Sequence, residues 1–312
     1  MNIRLVLLAL LLVPAVSGNS APIDRHALVT RHNVVLTAAD VHSPLSVGNG
    51  EFAFTADVTG LQTFEGDYNH GIPLSTMAQW GFHTMPNPQG FSLEKFPLTT
   101  NDTGGRAVGY LYYENGKSPP ERRAAADYLY DNPSRLNLGR LALVLKSTDG
   151  HEVRLADLKD IHQELNLWTG ELRSHFSLDG EPVDMLTCCH PDRELVAVQI
   201  HSVLISEGRL SVLLAFPYGS ASFAGNGADW GRPEAHQTVM RQTGDRRADF
   251  TRTLDNDRYY AALAWSEGIH LTPDGPHRYL LAGKAQTIEF VAAFSQSVLP
   301  AKLPDATATQ KA

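Results

Sequence analysis

Apolar and polar residues alternate with a period of two along most of the second half of the chain, as in β-strands that bury one face. The alternation predicts strands at 136–145, 151–158, 171–178, 182–190, 194–205, 209–216, 258–265, 277–281 and 287–295. Asp179-Gly180 predicts a tight hairpin, because both central residues of a type I′ turn need positive φ. Strands that follow one another without intervening helices favour an all-β fold of large antiparallel sheets stacked face to face.

One segment has helical rather than strand character. Two prolines precede residues 121–130, and Asn132-Pro133 follows them. Proline and an acidic residue suit the first turn of a helix, and a later proline stops it, so we predict a short helix here. Residues 66–106 and 217–249 fit no strand pattern and are interpreted as long loops, which are more often functional than idle.

The N-terminus has the pattern of a secretory signal peptide. A short basic segment precedes the apolar residues 5–13, and small residues follow up to Gly18. This predicts a signal peptide at 1–18, export to the periplasm or the cell exterior, and no membrane association after cleavage. A membrane anchor or a buried strand is the alternative, and Pro14 with the small residues after it argues against both.

Composition excludes several classes of partner and cofactor. The net charge is −8 and no basic stripe is present, so nucleic acid and anionic membranes are poor candidate partners. The two cysteines, Cys188 and Cys189, are adjacent, so we predict no bridge between them and one thiol on each face of a strand. The 13 histidines show no ligand spacing, and we predict neither a metal site nor a cofactor.

Aromatic residues in polar loops are the most useful signal for function. A sugar site combines an aromatic platform with carboxylate, amide and guanidinium groups. Residues 79–83 and 229–232 have that composition, and the candidate substrate-binding residues are Trp80, His83, Asp229 and Trp230. The alternative, which composition favours, is that both tryptophans close the ends of the sandwich. No carboxylate pair stands out among the 34 Asp and Glu residues, so no catalytic residue is nominated.

Four stretches carry a family resemblance: "PLSVGNGEFAFTADVTGLQTF" at 44–64, "GIPLSTMAQWGFH" at 71–83, "LNLWTGELRSHFSLDGEPVDMLTCCHPDRELVAVQIHS" at 165–202, and "GRLSVLLAFPYG" at 208–219. They resemble the N-terminal β-supersandwich of six-hairpin glycosidase-like proteins, a group that includes glycoside hydrolase families 65 and 95. The resemblance implies a galactose mutarotase-like, two-sheet supersandwich at 32–298 with one or two short helices. Residues 19–31 are then a lead-in, and residues 299–312 a linker or truncated tail.

The same resemblance implies a function in carbohydrate metabolism. In such proteins the supersandwich precedes an (α/α)6 helical barrel that carries the catalytic glutamate, and no residue here matches that glutamate. We therefore expect a catalytically silent domain that supports a helical barrel in cis or in trans, with an oligosaccharide or glycoside as ligand. A stand-alone secreted carbohydrate-binding protein is the alternative, and a purely structural module is a third. Gly48, Asn49 and Gly50 are interpreted as a structural turn between two strands.

Overall fold

The fold comes from a computed structural model that describes residues 22–96, 98–111, 119–221 and 225–312. The predicted signal peptide at 1–18 lies outside the described residues, as do the first residues of the predicted lead-in. Among the described residues, no helix is long and apolar enough to cross a lipid bilayer. The proposed domain boundaries stay predictions.

The described residues form twenty β-strands. In chain order they are β1 Val34–Leu36, β2 Leu45–Gly48, β3 Phe52–Ala56, β4 Thr76–Ala78, β5 Phe82–His83, β6 Thr99–Asp102, β7 Ala107–Tyr110, β8 Ser134–Arg135, β9 Arg140–Leu145, β10 Lys159–Asn166, β11 Glu171–Leu178, β12 Glu181–Cys189, β13 Leu195–His201, β14 Leu210–Ala215, β15 His236–Gln242, β16 Arg247–Leu254, β17 Asp257–Trp265, β18 Ile269–Pro273, β19 Arg278–Gly283 and β20 Thr287–Ser295.

Every sheet in the described part of the chain is antiparallel. The largest has nine strands in the order β1-β10-β11-β12-β13-β20-β17-β16-β15, and a second has four in the order β18-β19-β14-β9. β2, β3 and β4 form a three-stranded sheet, and two strand pairs complete the set. One apolar cluster joins the inner faces of the three larger sheets, with Phe54, Phe176, Leu214 and Phe290 among its buried members. The predicted all-β, antiparallel sandwich is confirmed.

Five short helices are present among the described residues. The predicted helix is confirmed as α3, Pro120–Asp131, with α1 at Arg25–Thr30 and α2 at Glu65–Tyr68 before it and α4 at Val203–Ser206 and α5 at Ala306–Lys311 after it. The described residues therefore contain more helices than the one or two that were expected. The additional helices are four to six residues long, which is too short for the sequence pattern to reveal them. In α4, for example, the Ser202 hydroxyl accepts a hydrogen bond from the Leu204 amide at 3.2 Å.

Several of the predicted strands and loops are wrong in part. The strand predicted at 194–205 ends at His201, where α4 takes over. Residues 151–158 form only an isolated bridge at Glu152 and one 3-10 turn, in which the Asp157 carboxylate accepts from the Arg154 amide at 2.8 Å. The predicted loop at 217–249 contains β15 and the start of β16. β15 is an edge strand with little apolar content, so alternation does not reveal it.

Two turns join neighbouring strands of these sheets. Asp179 and Gly180 have φ of 53° and 85° in the hairpin between β11 and β12. Gly48, Asn49 and Gly50 join β2 to β3, and a Cβ on Gly48 would lie 2.4 Å from the Phe52 carbonyl oxygen. The Asn49 amide also donates to the carbonyls of His190 and Arg193, each at 3.1 Å. This turn therefore ties the three-stranded sheet to the loop before β13.

The nine-stranded sheet also has an outer face, which is covered over part of its width. Cys188 is free and buried on this face with Leu195 and Val291, while Cys189 is free and packs against the main core. The predicted pair of unbridged thiols on opposite faces is confirmed. Residues 299–312, predicted to be a linker or tail, run along the outer face, where Ala306 of α5 is buried.

Candidate functional site

Two of the four predicted binding residues, His83 and Asp229, lie in one connected network of side chains, and Trp230 follows Asp229 in the chain. His83 ends the short strand β5, and Asp229 forms an isolated bridge with Tyr218. The turn between β16 and β17 supplies two carboxylates that sequence reasoning missed. The segments 66–106 and 217–249, which were predicted to be loops but contain β4 to β6, β15 and the start of β16, thus meet that β16–β17 turn.

His83 is the buried centre of the network, with 1% of its surface exposed. Its Nδ1 lies 2.8 Å from the Asp257 carboxylate, and its Nε2 lies 3.2 Å from the Asp255 carboxylate. A Cβ on Gly219 would lie 2.4 Å from the ring, so only glycine permits this packing. Because it is enclosed, His83 does not meet a ligand itself, and its Nδ1 contact holds the Asp257 carboxylate.

Tyr218 connects this centre to the loop that carries Asp229. Its hydroxyl donates to the Asp255 carboxylate, and its ring contacts His83 edge-on at 5.2 Å between centroids. Burial, with the Asp255 carboxylate, raises the pKa of Tyr218 to about 12, so the phenol stays protonated and donates. The Arg232 guanidinium lies 4.4 Å above the same ring.

Asp229 is fixed by its own loop. Its carboxylate accepts from Arg232 Nε at 2.8 Å and from the Gly231 amide at 2.9 Å. The hydrogen bond from Arg232 is the main reason that the pKa of Asp229 lies below its usual value. Asp229 and Arg232 therefore form a fixed, charged pair beside Trp230.

Trp230 is held at one point while 40% of its surface stays exposed. Its indole N–H donates to the Glu65 carboxylate at 3.0 Å. Glu65 is only 4% exposed, accepts a second bond from the Asn226 amide at 2.6 Å, and pairs with the Arg140 guanidinium at 3.1 Å. Buried Asn226 and partly exposed Arg140 thus fix the Glu65 carboxylate, which in turn fixes the indole. An aromatic ring held in this way costs little conformational entropy when it binds a ligand.

Trp80 has a different environment from that of Trp230. It is partly buried against the main core, its indole N–H donates to Glu194 at 2.6 Å, and its ring lies 6.2 Å from that of Tyr259. Trp80 and Trp230 share no hydrogen-bond partner among the described residues. The contacts of Trp80 suit a residue that closes the end of the sandwich.

The residues that sequence reasoning missed are Glu65, Asp255 and Asp257. Asp255 and Asp257 flank a hairpin turn, and Asp255 has φ of 50°, so from sequence they read as ordinary turn formers. Glu65 follows an apolar strand pair and carries no local signal. The side chain of Asp255 remains 26% exposed and that of Asp257 remains 38% exposed. Together with Arg232 and Trp230 they offer hydrogen-bond acceptors, a donor and an apolar ring on one end of the sandwich.

Comparison with known proteins gives distant structural likeness. No family model matches the sequence, and no curated protein matches it. A provisionally named kojibiose phosphorylase from the human microbiome aligns with 84% of this chain at 9% identity and a TM-score of 0.47. A family GH92 α-mannosidase from Bacteroides thetaiotaomicron aligns with 53% of the chain at 7% identity and a TM-score of 0.22. The aligned part spans 32% of the first protein and 24% of the second.

Proposed function

We propose that this chain is a β-sandwich domain of an exported carbohydrate-active protein, and that it binds oligosaccharide at the surface around Trp230. In this proposal the domain is catalytically silent alone and supports a helical-barrel catalytic domain, in cis or in trans. The sequence resemblance to glycosidase supersandwiches motivates the proposal. The observation that carries it is Trp230, held by buried Glu65 yet 40% exposed beside the Asp229–Arg232 pair.

The chemistry of the surface matches a neutral sugar. A pyranose presents apolar C–H faces, which pack on an exposed indole, and hydroxyl groups, which need both donors and acceptors. Arg232, two positions after Trp230 in the chain, supplies N–H donors, and the partly exposed carboxylates of Asp255 and Asp257 supply acceptors. Tyr218 occupies one oxygen of Asp255 and His83 one oxygen of Asp257, which suits positioning of hydroxyls more than cleavage of a bond.

The test is a binding titration of the purified chain against a panel of neutral oligosaccharides, followed by two tryptophan variants. We expect Trp230→Ala to weaken binding at least about tenfold, which is about 1.4 kcal/mol. Trp168→Ala is the matched control, since Trp168 is 51% exposed but lies in the turn between β10 and β11, against His26. Equal binding by both variants, or no binding by the parent chain, would refute the proposed sugar surface.

A further inference from the structure

The uncovered part of the outer face of the nine-stranded sheet carries a row of polar residues at directly opposed positions. His162 on β10 pairs with His175 on β11, His175 with Asp184 on β12, and Asp184 with His201 on β13. Directly opposed residues of an antiparallel pair point to the same face, with Cβ atoms roughly 4.5–5.5 Å apart. All four line one cavity of about 320 Å³. We call these four residues the imidazole row.

We propose that His162 and His175 bind one divalent transition-metal cation of the Zn²⁺ or Cu²⁺ type, with Asp184 as the residue that orients His175. Imidazole nitrogen suits both cations, at nitrogen–metal distances of about 2.0–2.1 Å for zinc. Side chains on adjacent strands can converge on one such ion. Water completes the coordination, because the described residues contain no group of three or more His, Cys, Asp or Glu able to hold a metal.

The hydrogen bonds of the two histidines support this assignment. His175 Nδ1 lies 2.7 Å from the Asp184 carboxylate, so in the neutral imidazole Nδ1 carries the proton and Nε2 keeps its lone pair for a ligand. A carboxylate behind a ligating histidine is the usual arrangement around bound metals, where it fixes both the tautomer and the ring direction. The His162 side chain makes no hydrogen bond to any described residue, so its ring is free to turn toward the ion.

The surrounding charges do not oppose a cation. Arg173 also lines the cavity, but its guanidinium donates to the Glu171 carboxylate at 2.8 Å, which pairs its charge. Asp184 and Glu289 add negative charge to the cavity wall. His201 lies two strands away from His175, beyond Asp184, and its Nδ1 contacts the Thr287 hydroxyl at 3.2 Å. His201 is therefore too far away to share the ion and serves as an internal control.

The experiment uses the untagged full chain and titrates Zn²⁺ by calorimetry and Cu²⁺ by electron paramagnetic resonance at neutral pH. We expect one site per chain, with nitrogen hyperfine structure from two imidazoles. His162→Gln and His175→Gln should each weaken binding at least about tenfold, and Asp184→Asn should weaken it about 10-fold to 100-fold, as loss of an outer-shell partner does. His201→Gln should change affinity by less than about twofold, since distant sites act independently.

Several outcomes would overturn the assignment. Absence of binding by the parent chain would do so, as would full binding by both His162→Gln and His175→Gln, or a loss in His201→Gln as large as theirs. Far-ultraviolet circular dichroism of each variant excludes unfolding as the cause of a loss. Because all four positions lie on an outer face that α5 leaves open, we expect the variants to fold. The sugar-binding proposal is independent of this result.

Discussion

Glu65 is the residue whose replacement tests the architecture of the candidate site most sharply. Its buried carboxylate accepts from Trp230 and Asn226 and pairs with Arg140. Glu65→Ala removes all three interactions at once. Arg140 keeps its hydrogen bonds to the carbonyls of Gln62 and Thr63, at 2.8 and 2.6 Å, but loses its nearest counter-charge.

The expected cost follows from these contacts. Breaking one side of a buried ion pair costs about 3–5 kcal/mol, because the remaining charge is left uncompensated. The partial exposure of Arg140 and its retained carbonyl contacts place the expected loss toward the lower end of that range. Leaving the amide of Asn226 without its acceptor adds about 1 kcal/mol or more. We therefore expect Glu65→Ala to lower the free energy of unfolding by about 3–5 kcal/mol.

Glu65→Gln is the matched control. It keeps the side-chain length and one carbonyl oxygen that can accept from the Trp230 indole, but it loses the charge and places an amide N–H group toward Arg140. We expect it to cost clearly less than Glu65→Ala and to leave the fluorescence of Trp230 close to that of the parent chain. The assay is urea unfolding followed by circular dichroism, with tryptophan emission recorded in parallel. A loss below about 1 kcal/mol in Glu65→Ala would refute the view that Glu65 organises this end of the sandwich.

Two further predictions concern pH and packing. Burial, followed by the charge of Arg252, lowers the pKa of His236 from 6.5 to about 3, so the contribution of neutral His236 to stability is full above pH 6.5 and is lost as pH falls toward 3. Urea unfolding should therefore show that His236→Gln loses less stability than the parent chain between pH 6.5 and 4, and identical pH profiles would contradict this. The comparison cancels the opposite contribution of Asp57, whose pKa burial raises to about 6, because both proteins contain Asp57. Gly219→Ala should cost at least about 2 kcal/mol, because the new methyl group meets a buried imidazole ring at 2.4 Å, whereas Gly66→Ala in α2, with no atom within 4 Å, should be neutral or stabilising when the midpoints of thermal unfolding are compared.

The sequence predicts the sheets wherever one face is clearly apolar. β11, β17 and β20 follow the two-residue alternation, and their observed bounds lie within one residue of the predicted ones. β15 escapes prediction because its inward residues are His236, Thr238 and Met240, which do not stand out as an apolar face. Alternation reports burial, so an edge strand with polar residues on both faces leaves no such signal.

The candidate site is harder to predict because its contacts are distant in sequence. His83 meets Asp257 across 174 positions, and Trp230 meets Glu65 across 165. Local composition selected His83, Asp229 and Trp230, but it could not reveal the buried carboxylate that holds the indole. The imidazole row is a similar case, since only the strand register brings His162 opposite His175.

Oligosaccharide binding at Trp230 can be tested most directly by two-dimensional nuclear magnetic resonance. The indole N–H signals of the four tryptophans are followed while an oligosaccharide that the chain binds is titrated in. Trp230→Phe assigns the Trp230 signal, and Trp168→Phe assigns that of the control. If oligosaccharide binds at Trp230, the Trp230 signal shifts to saturation while the Trp168 signal stays in place. A stationary Trp230 signal at saturating sugar, or a shift confined to Trp168, would contradict it.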